Sequence, residues 1–215
     1  MLSERIDQVA ATILEHSPCL VGDRQSVALA TYRLLAAGRP VEVAQISART
    51  GMGGSRVEAL LGSWPGVFRD DTRRIVGFWG LSIQDIGPHR MHVDGVELSA
   101  WCAWDTLFLP ELLAQPVDVR SRSPLDDDPV ALRVGPERVE HHSPADLVVS
   151  MLPARDSDDF IRTFCHQIHF FGSEAEGERW IAARDGVFLM PLADAFELGR
   201  RVNHARFGNA LTSAG

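Results

Sequence analysis

Val67-Phe-Arg-Asp-Asp-Thr-Arg-Arg-Ile-Val-Gly-Phe-Trp-Gly-Leu81 decides how the first part of this chain reads. Two apolar runs flank a polar Asp70-Asp71 turn, the pattern of a β-hairpin. Helical patterns lead up to it. Ile6, Val9, Ala10 and Ile13 recur at helical spacing before a break at Ser17-Pro18. A second helix is predicted from Gln25 to Ala37, stopped by Gly38 with Pro40 just beyond. Val41 to Thr50 reads as a short helix ended by Gly51, and Ser55 is expected to cap another that ends before Pro65. Helices closed by a hairpin outline a winged-helix-like module over residues 1–80.

Beyond Gly80 strands and helices mix. Pro88 to Val93 reads as extended chain, and Asp94-Gly95 is a hairpin signal. Ala100 to Leu113 is apolar and aromatic, the pattern of a mostly buried helix. Val117 to Arg122 and Val130 to Val134 are predicted strands, separated by an acidic loop over residues 124–129. Leu147 to Leu152 reads as another strand, and Asp156 to Ile161 as a short helical link. Thr163 to Phe171 alternates as a strand would, with Cys165, Gln167, His169 and Phe171 on one side. A capped helix from Ser173 to Ala183, a strand from Val187 to Met190 and a helix from Leu192 to Arg206 complete the outline. The expected class is α+β, with a helical winged-helix-like domain over 1–80 and a mixed strand and helix domain over 81–215.

Composition narrows the function. The 215 residues are 45% hydrophobic, enough for a real core. All 21 basic residues are Arg, and the formal net charge is −8. Residues 1–80 carry nine Arg and eight carboxylates, residues 81–215 twelve Arg and twenty-one. Such a balance lacks the electrostatic footprint of a nucleic-acid binder. The expected recognition helix holds only Arg56, and Arg73 and Arg74 on the wing are offset by Asp70 and Asp71. No apolar run reaches membrane-spanning length, and the charged N-terminus lacks a signal-peptide core, so a cytoplasmic location is the expectation. His141-His142 falls in a polar link, and Asp126-Asp127-Asp128 reads as a solvated loop.

Only Cys19, Cys102 and Cys165 are available for thiol chemistry, and no spacing suggests a zinc finger or a disulfide framework. Cys19, between Ser17-Pro18 and Leu20-Val21, reads as a packed thiol. In Ala100-Trp-Cys-Ala-Trp-Asp-Thr-Leu a helix would place Cys102 and Asp105 on one face. A carboxylate beside a thiol can take its proton or return one. The plainer reading is a buried cysteine in an aromatic helix, with Asp105 as a cap. In Phe164-Cys-His-Gln-Ile-His-Phe-Phe a strand would send His166 and His169 to opposite sides, against a shared metal with Cys165.

At these two segments the chain resembles the organomercurial lyases, also called alkylmercury lyases. Leu98-Ser-Ala-Trp-Cys-Ala-Trp-Asp-Thr-Leu-Phe-Leu-Pro is similar to the family's Tyr-Ala-Trp-Cys-Ala-x-Asp-Thr-Leu, with Ser99 in place of the Tyr. Phe164-Cys-His-Gln-Ile-His-Phe-Phe is similar to its Phe-Cys-Cys-His-Val-His-Phe-Phe, with His166 replacing the second cysteine. The family's extra cysteine near the loop before Pro129 is also absent. Weaker similarity runs from about Leu34 to Gly199. The resemblance implies that Cys102, Asp105 and Cys165 are the catalytic residues. It further implies an N-terminal part not used to read DNA.

What the family does fits these three groups. Mercury(II) is soft and prefers thiolate to nitrogen or oxygen. One thiolate captures R–Hg⁺, a second weakens the carbon–mercury bond, and a carboxyl that took a cysteine's proton delivers it to the leaving carbon. Cys102, Cys165 and Asp105 would then hold the product mercury(II). Taking about 2.3 Å per metal–sulfur bond from zinc, a near-linear S–Hg–S needs sulfurs about 4.7 Å apart. Trp101, Trp104 and Phe164 would line an apolar pocket for the organic group. No organic cofactor is expected. The implied partners are organomercurials, small thiols that release mercury(II), and a mercuric reductase that receives it, with neither nucleic acid nor membrane. A metal- or thiol-responsive winged-helix regulator, or a lyase-like metal binder without turnover, are the rival readings.

Overall fold

The computed structural model describes residues 2–154 and 163–211. Four helices open the chain: α1 (Leu2–Glu15), α2 (Asp23–Leu35), α3 (Val43–Thr50) and α4 (Gly54–Gly62). Helix α2 buries Val27 to Tyr32 and Leu35, and α1 buries Ile6, Val9, Ala10 and Ile13. Gly51 ends α3 in the left-handed conformation that glycine adopts without strain. Two expectations shift here. Val41 lies outside α3 and bridges to Ile75. Ser55 does not cap α4, because the helix starts two residues earlier than expected, with Gly53 at the N-cap.

The hairpin forms as β1 (Val67–Arg69) and β2 (Ile75–Phe78), and the chain turns again at Trp79-Gly80 into β3 (Leu81–Ser82). β3 then pairs with β5 (Val96–Ala100), which pairs with β4 (Arg90–Val93) through the Asp94-Gly95 turn. β6 (Val117–Arg122), β7 (Pro129–Val134) and β8 (Val139–Ser143) complete an antiparallel sheet ordered β1-β2-β3-β5-β4-β6-β7-β8. β6 and β7 alternate buried and exposed residues without a break, the signature of a sheet with one face on the core. β8 was not expected. Its His141 and His142 sit in a strand and not in a link, and only the partner strand β7 reveals it, since its own pattern is mostly polar.

A second, three-stranded sheet is ordered β10-β9-β11, from β9 (Val148–Met151), β10 (Phe170–Phe171) and β11 (Phe188–Pro191). Around it lie α5 (Asp105–Leu113), α6 (Glu174–Ile181) and α7 (Leu192–Phe207). Ser173 caps α6 as expected, accepting from Glu176 N–H. The expected link over 156–161 lies outside the described residues. α7 packs on both α1 and α5, and α5 also meets α2. Gly199 permits the α5–α7 approach, since a Cβ there would lie 2.8 Å from Phe108 Cβ. The mixed helix and sheet architecture agrees with the expected α+β class.

Two segments fold differently from their periodicity. Ala100 ends β5, and residues 101–104 form a turn before α5 begins at Asp105. Thr163 to Phe171 is not one strand: Cys165–Gln167 form a 3₁₀ turn, and only Phe170–Phe171 pair as a strand. Ser150 on β9 explains the difference. Its hydroxyl donates to Gln167 O at 2.8 Å and accepts from His169 N–H at 2.9 Å, ending the ladder short of Cys165.

Candidate active site

The turn at 101–104 sets Cys102 beside Asp105. Cys102 N–H donates to Asp105 Oδ2 at 2.8 Å, so the carboxyl at the head of α5 caps the turn that precedes it. Thr106 Oγ1 donates to Ala103 O at 2.7 Å, and Trp104 Nε1 donates to Ala195 O on α7 at 3.0 Å. The plainer reading of Asp105 as a cap is therefore true of its backbone contact. It does not account for what lies on the other side.

There the second cysteine segment arrives. Ala103 N–H donates to Ile168 O at 3.2 Å, stitching the two turns together. Cys102, Asp105 and Cys165 offer a sulfur, a carboxylate oxygen and a sulfur that all lie within 4.8 Å of one another. The three residues are 0%, 5% and 4% exposed. His166 is exposed, and His169 Nε2 bonds to His166 O at 3.0 Å, so neither imidazole joins the cluster.

Burial governs the protonation of all three. It pushes the Asp105 carboxyl up to about 7, against hydrogen bonds from Cys102 that favour its ionised form. It pushes the Cys102 thiol well above the ordinary range, helped by a hydrogen bond with Cys165 and the Asp105 charge. At Cys165 the bond from Cys102 favours the thiolate, and burial and the Asp105 charge outweigh it. Both thiols are thus held protonated by burial, and they differ in access: Cys165 lines the cavity and Cys102 does not.

A small cavity of about 30 Å³ reaches this cluster. Asp105 and Cys165 line it; Cys102 does not. Trp101, Trp104 and Phe164, read from the sequence as the pocket for an organic group, all line it too. Trp79, Gly80, Phe108 and Arg206 also line it, and the sequence offered no local signal for them. They come from the hairpin turn, α5 and the last turn of α7, which periodicity describes one at a time. Gly80 has the tightest role: a Cβ there would lie 2.7 Å from Asp105 Oδ1.

The alkylmercury lyase family model matches residues 85–204, more than half the chain. The chain belongs to the alkylmercury lyase family. It is 40% identical over 174 residues to the alkylmercury lyase of Streptomyces lividans, covering 80% of each chain. It is 37% identical over 172 residues to that of Pseudomonas putida, again 80% of each. The crystal structure of the mercury-bound form of MerB2 is similar in fold, with a TM-score of 0.73 and 24% identity over 94% of this chain and 98% of that one. Within the family fold, Cys19 is exposed and stands apart from the buried pair, so the packed position read for it is corrected. The Ser17-Pro18 break leaves it between α1 and α2. Among the described residues no helix is long and apolar enough to cross a membrane.

Proposed function

We propose that this chain cleaves carbon–mercury bonds by protonolysis, with Cys102, Asp105 and Cys165 as the catalytic residues. The observation that carries the reading is one buried carboxyl within reach of two buried thiols at the end of an apolar cavity. The two sulfurs lie within 4.8 Å of each other, near enough to share one mercury ion, for which a near-linear arrangement needs about 4.7 Å.

The unequal access of the thiols orders the steps. Cys165 lines the cavity, so it captures R–Hg⁺ first and releases one proton to solvent. Cys102 then passes its proton to the Asp105 carboxylate, and its sulfur becomes the second ligand. Electron density from two thiolates weakens the carbon–mercury bond. The bond pair stays with carbon and takes the proton held by Asp105. R–Hg⁺ and two thiols become R–H, mercury(II) on two thiolates, and one proton. Trp101, Trp104 and Phe164 hold the organic group and keep water away. A small thiol must take the mercury(II), and a mercuric reductase in the cytoplasm is the fitting recipient. We assign the winged-helix-like unit to residues 1–80 and the catalytic unit to 81–215. Against a DNA-reading role, Arg56 pairs with Asp23, Arg69 and Arg73 with Glu58, and Arg74 with Asp70.

The deciding experiment is benzene release from phenylmercury with excess neutral thiol. Wild-type protein is expected to release it. Asp105→Asn is expected to bind mercury(II) still while release falls about a hundredfold, the scale for losing a general acid. A folded Asp105→Asn protein with wild-type turnover would end the assignment.

A further inference from the structure

Arg206 stands out among the charged groups the reaction does not use. It lies in the last turn of α7, with its guanidinium over the rings of Trp79 and Phe207, 5.4 and 5.7 Å from their centroids. It lines the same cavity as Asp105 and Cys165. Its Nε is shut off from solvent and has no hydrogen-bond partner. Neighbouring arginines have carboxylates at hand: Arg201 pairs with Asp7 and Glu197, and Arg200, whose Nε also lacks a hydrogen bond, lies 3.8 Å from Glu111. Among the described residues no carboxylate pairs with Arg206.

The group closest to serving as its partner is Tyr32, whose neutral hydroxyl is already committed to Trp79 O at 2.9 Å. A guanidinium withdrawn from water and left without an anion is costly. Ring contacts do not satisfy its Nε–H, and a guanidinium matches a carboxylate in a two-point fork.

We infer that Arg206 forms an anion subsite in the reaction cavity, selecting organomercurials that bring a carboxylate with them. The carboxylate could sit on the organic group, or on the thiolate that carries the mercury to the site. The chemistry is the same. This inference rests on the lyase reading above and adds specificity to it.

The test compares kcat/KM in two arms. In the first, phenylmercury and its 4-carboxylate are each supplied with 2-mercaptoethanol. In the second, phenylmercury is supplied with 3-mercaptopropionate or with 2-mercaptoethanol. Wild-type protein is expected to favour the carboxylate form in at least one arm by about tenfold or more, the worth of hydrogen bonds to a charged group. The arm that shows the preference identifies its source. Arg206→Met is expected to erase the preference, lowering kcat/KM for the carboxylate form about tenfold more than for the neutral one. Arg206→Lys keeps the charge but loses the fork, and is expected to fall between; it also decides the matter if Arg206→Met fails to fold. No carboxylate preference in wild-type protein overturns the subsite, and so does one that survives in the variants. An equal loss on neutral and charged substrates also overturns it. Turnover of neutral phenylmercury by wild-type protein tests the lyase reading separately.

Discussion

The two cysteine turns contain the same reactive atom and hold it in different ways. Cys102 sits in a turn welded to α5, fully buried, with its backbone bonded to the carboxyl that faces its sulfur. Cys165 sits in a 3₁₀ turn hung from β9 by Ser150, and it lines the cavity. In the proposed mechanism the first thiol keeps its proton until Asp105 takes it. The second, which lines the cavity, is the one proposed to meet substrate. Surroundings, not residue type, divide the labour.

The sharpest way to break this comparison is to remove each sulfur in turn. Cys102→Ser and Cys165→Ser are each expected to lower hydrocarbon release on the order of a thousandfold or more, the scale of losing a nucleophile. They should differ in capture. Cys102→Ser is expected to retain phenylmercury as a one-to-one adduct on Cys165, visible by intact mass, whereas Cys165→Ser captures slowly. Cys19→Ser should keep most activity. Identical capture by the two active-site variants would remove the proposed order of attack.

A middle-sized effect is expected at Gly80, which shapes the first turn from the hairpin. Gly80 and Gly95 both have positive φ, 90° and 78°, but a Cβ at Gly95 would meet open space. Gly80→Ala should push the Asp105 carboxyl aside and cost about tenfold in cleavage, part of the hundredfold range of a general acid. Gly95→Ala carries similar backbone strain, of about 1–2 kcal/mol, without that contact. Melting curves should shift alike while activity separates the two. Equal activities would mean that Gly80 acts through the backbone alone.

Ser150 probes the second turn. Ser150→Ala leaves Gln167 O and His169 N–H without their buried partner, expected to cost about 1–3 kcal/mol of stability. Alkylation of Cys165 should change more than that of Cys102; equal changes would argue against a local role.

The smallest effect is in pH. Asp105 titrates at about 7 in the folded protein, above its ordinary 3.8, because burial disfavours the charge. Only the ionised form can take the Cys102 proton, so hydrocarbon release should rise with pH through about 7. Stability runs the other way. The folded state binds this proton more tightly, so its stabilising contribution is full below about 4 and is lost as pH rises through about 7. Asp105→Asn should flatten that part of the stability curve, and an unchanged slope would assign it elsewhere.

Much of this was written locally. Gly51 and the Ser17-Pro18 break punctuate helices because of backbone conformation alone, and β6 and β7 declare their buried face by strict alternation. The two cysteine segments carried the family resemblance without any knowledge of their distance in space. Other features were not legible. The alternation over Thr163 to Phe171 suits a strand as well as it suits a turn, and the Ser150 hydroxyl decided between them from another element. β8 exists because β7 offers it a ladder. Spacing determined that Cys102 and Asp105 would be neighbours, within one turn of chain. That Cys165 joins them, with Gly80 against the carboxyl and Arg206 in the same cavity, depended on packing between elements far apart in sequence. Periodicity records which side of an element is apolar. The distance between two such sides, and the loss of water that lifts Asp105 to about 7, arise only when they close on each other.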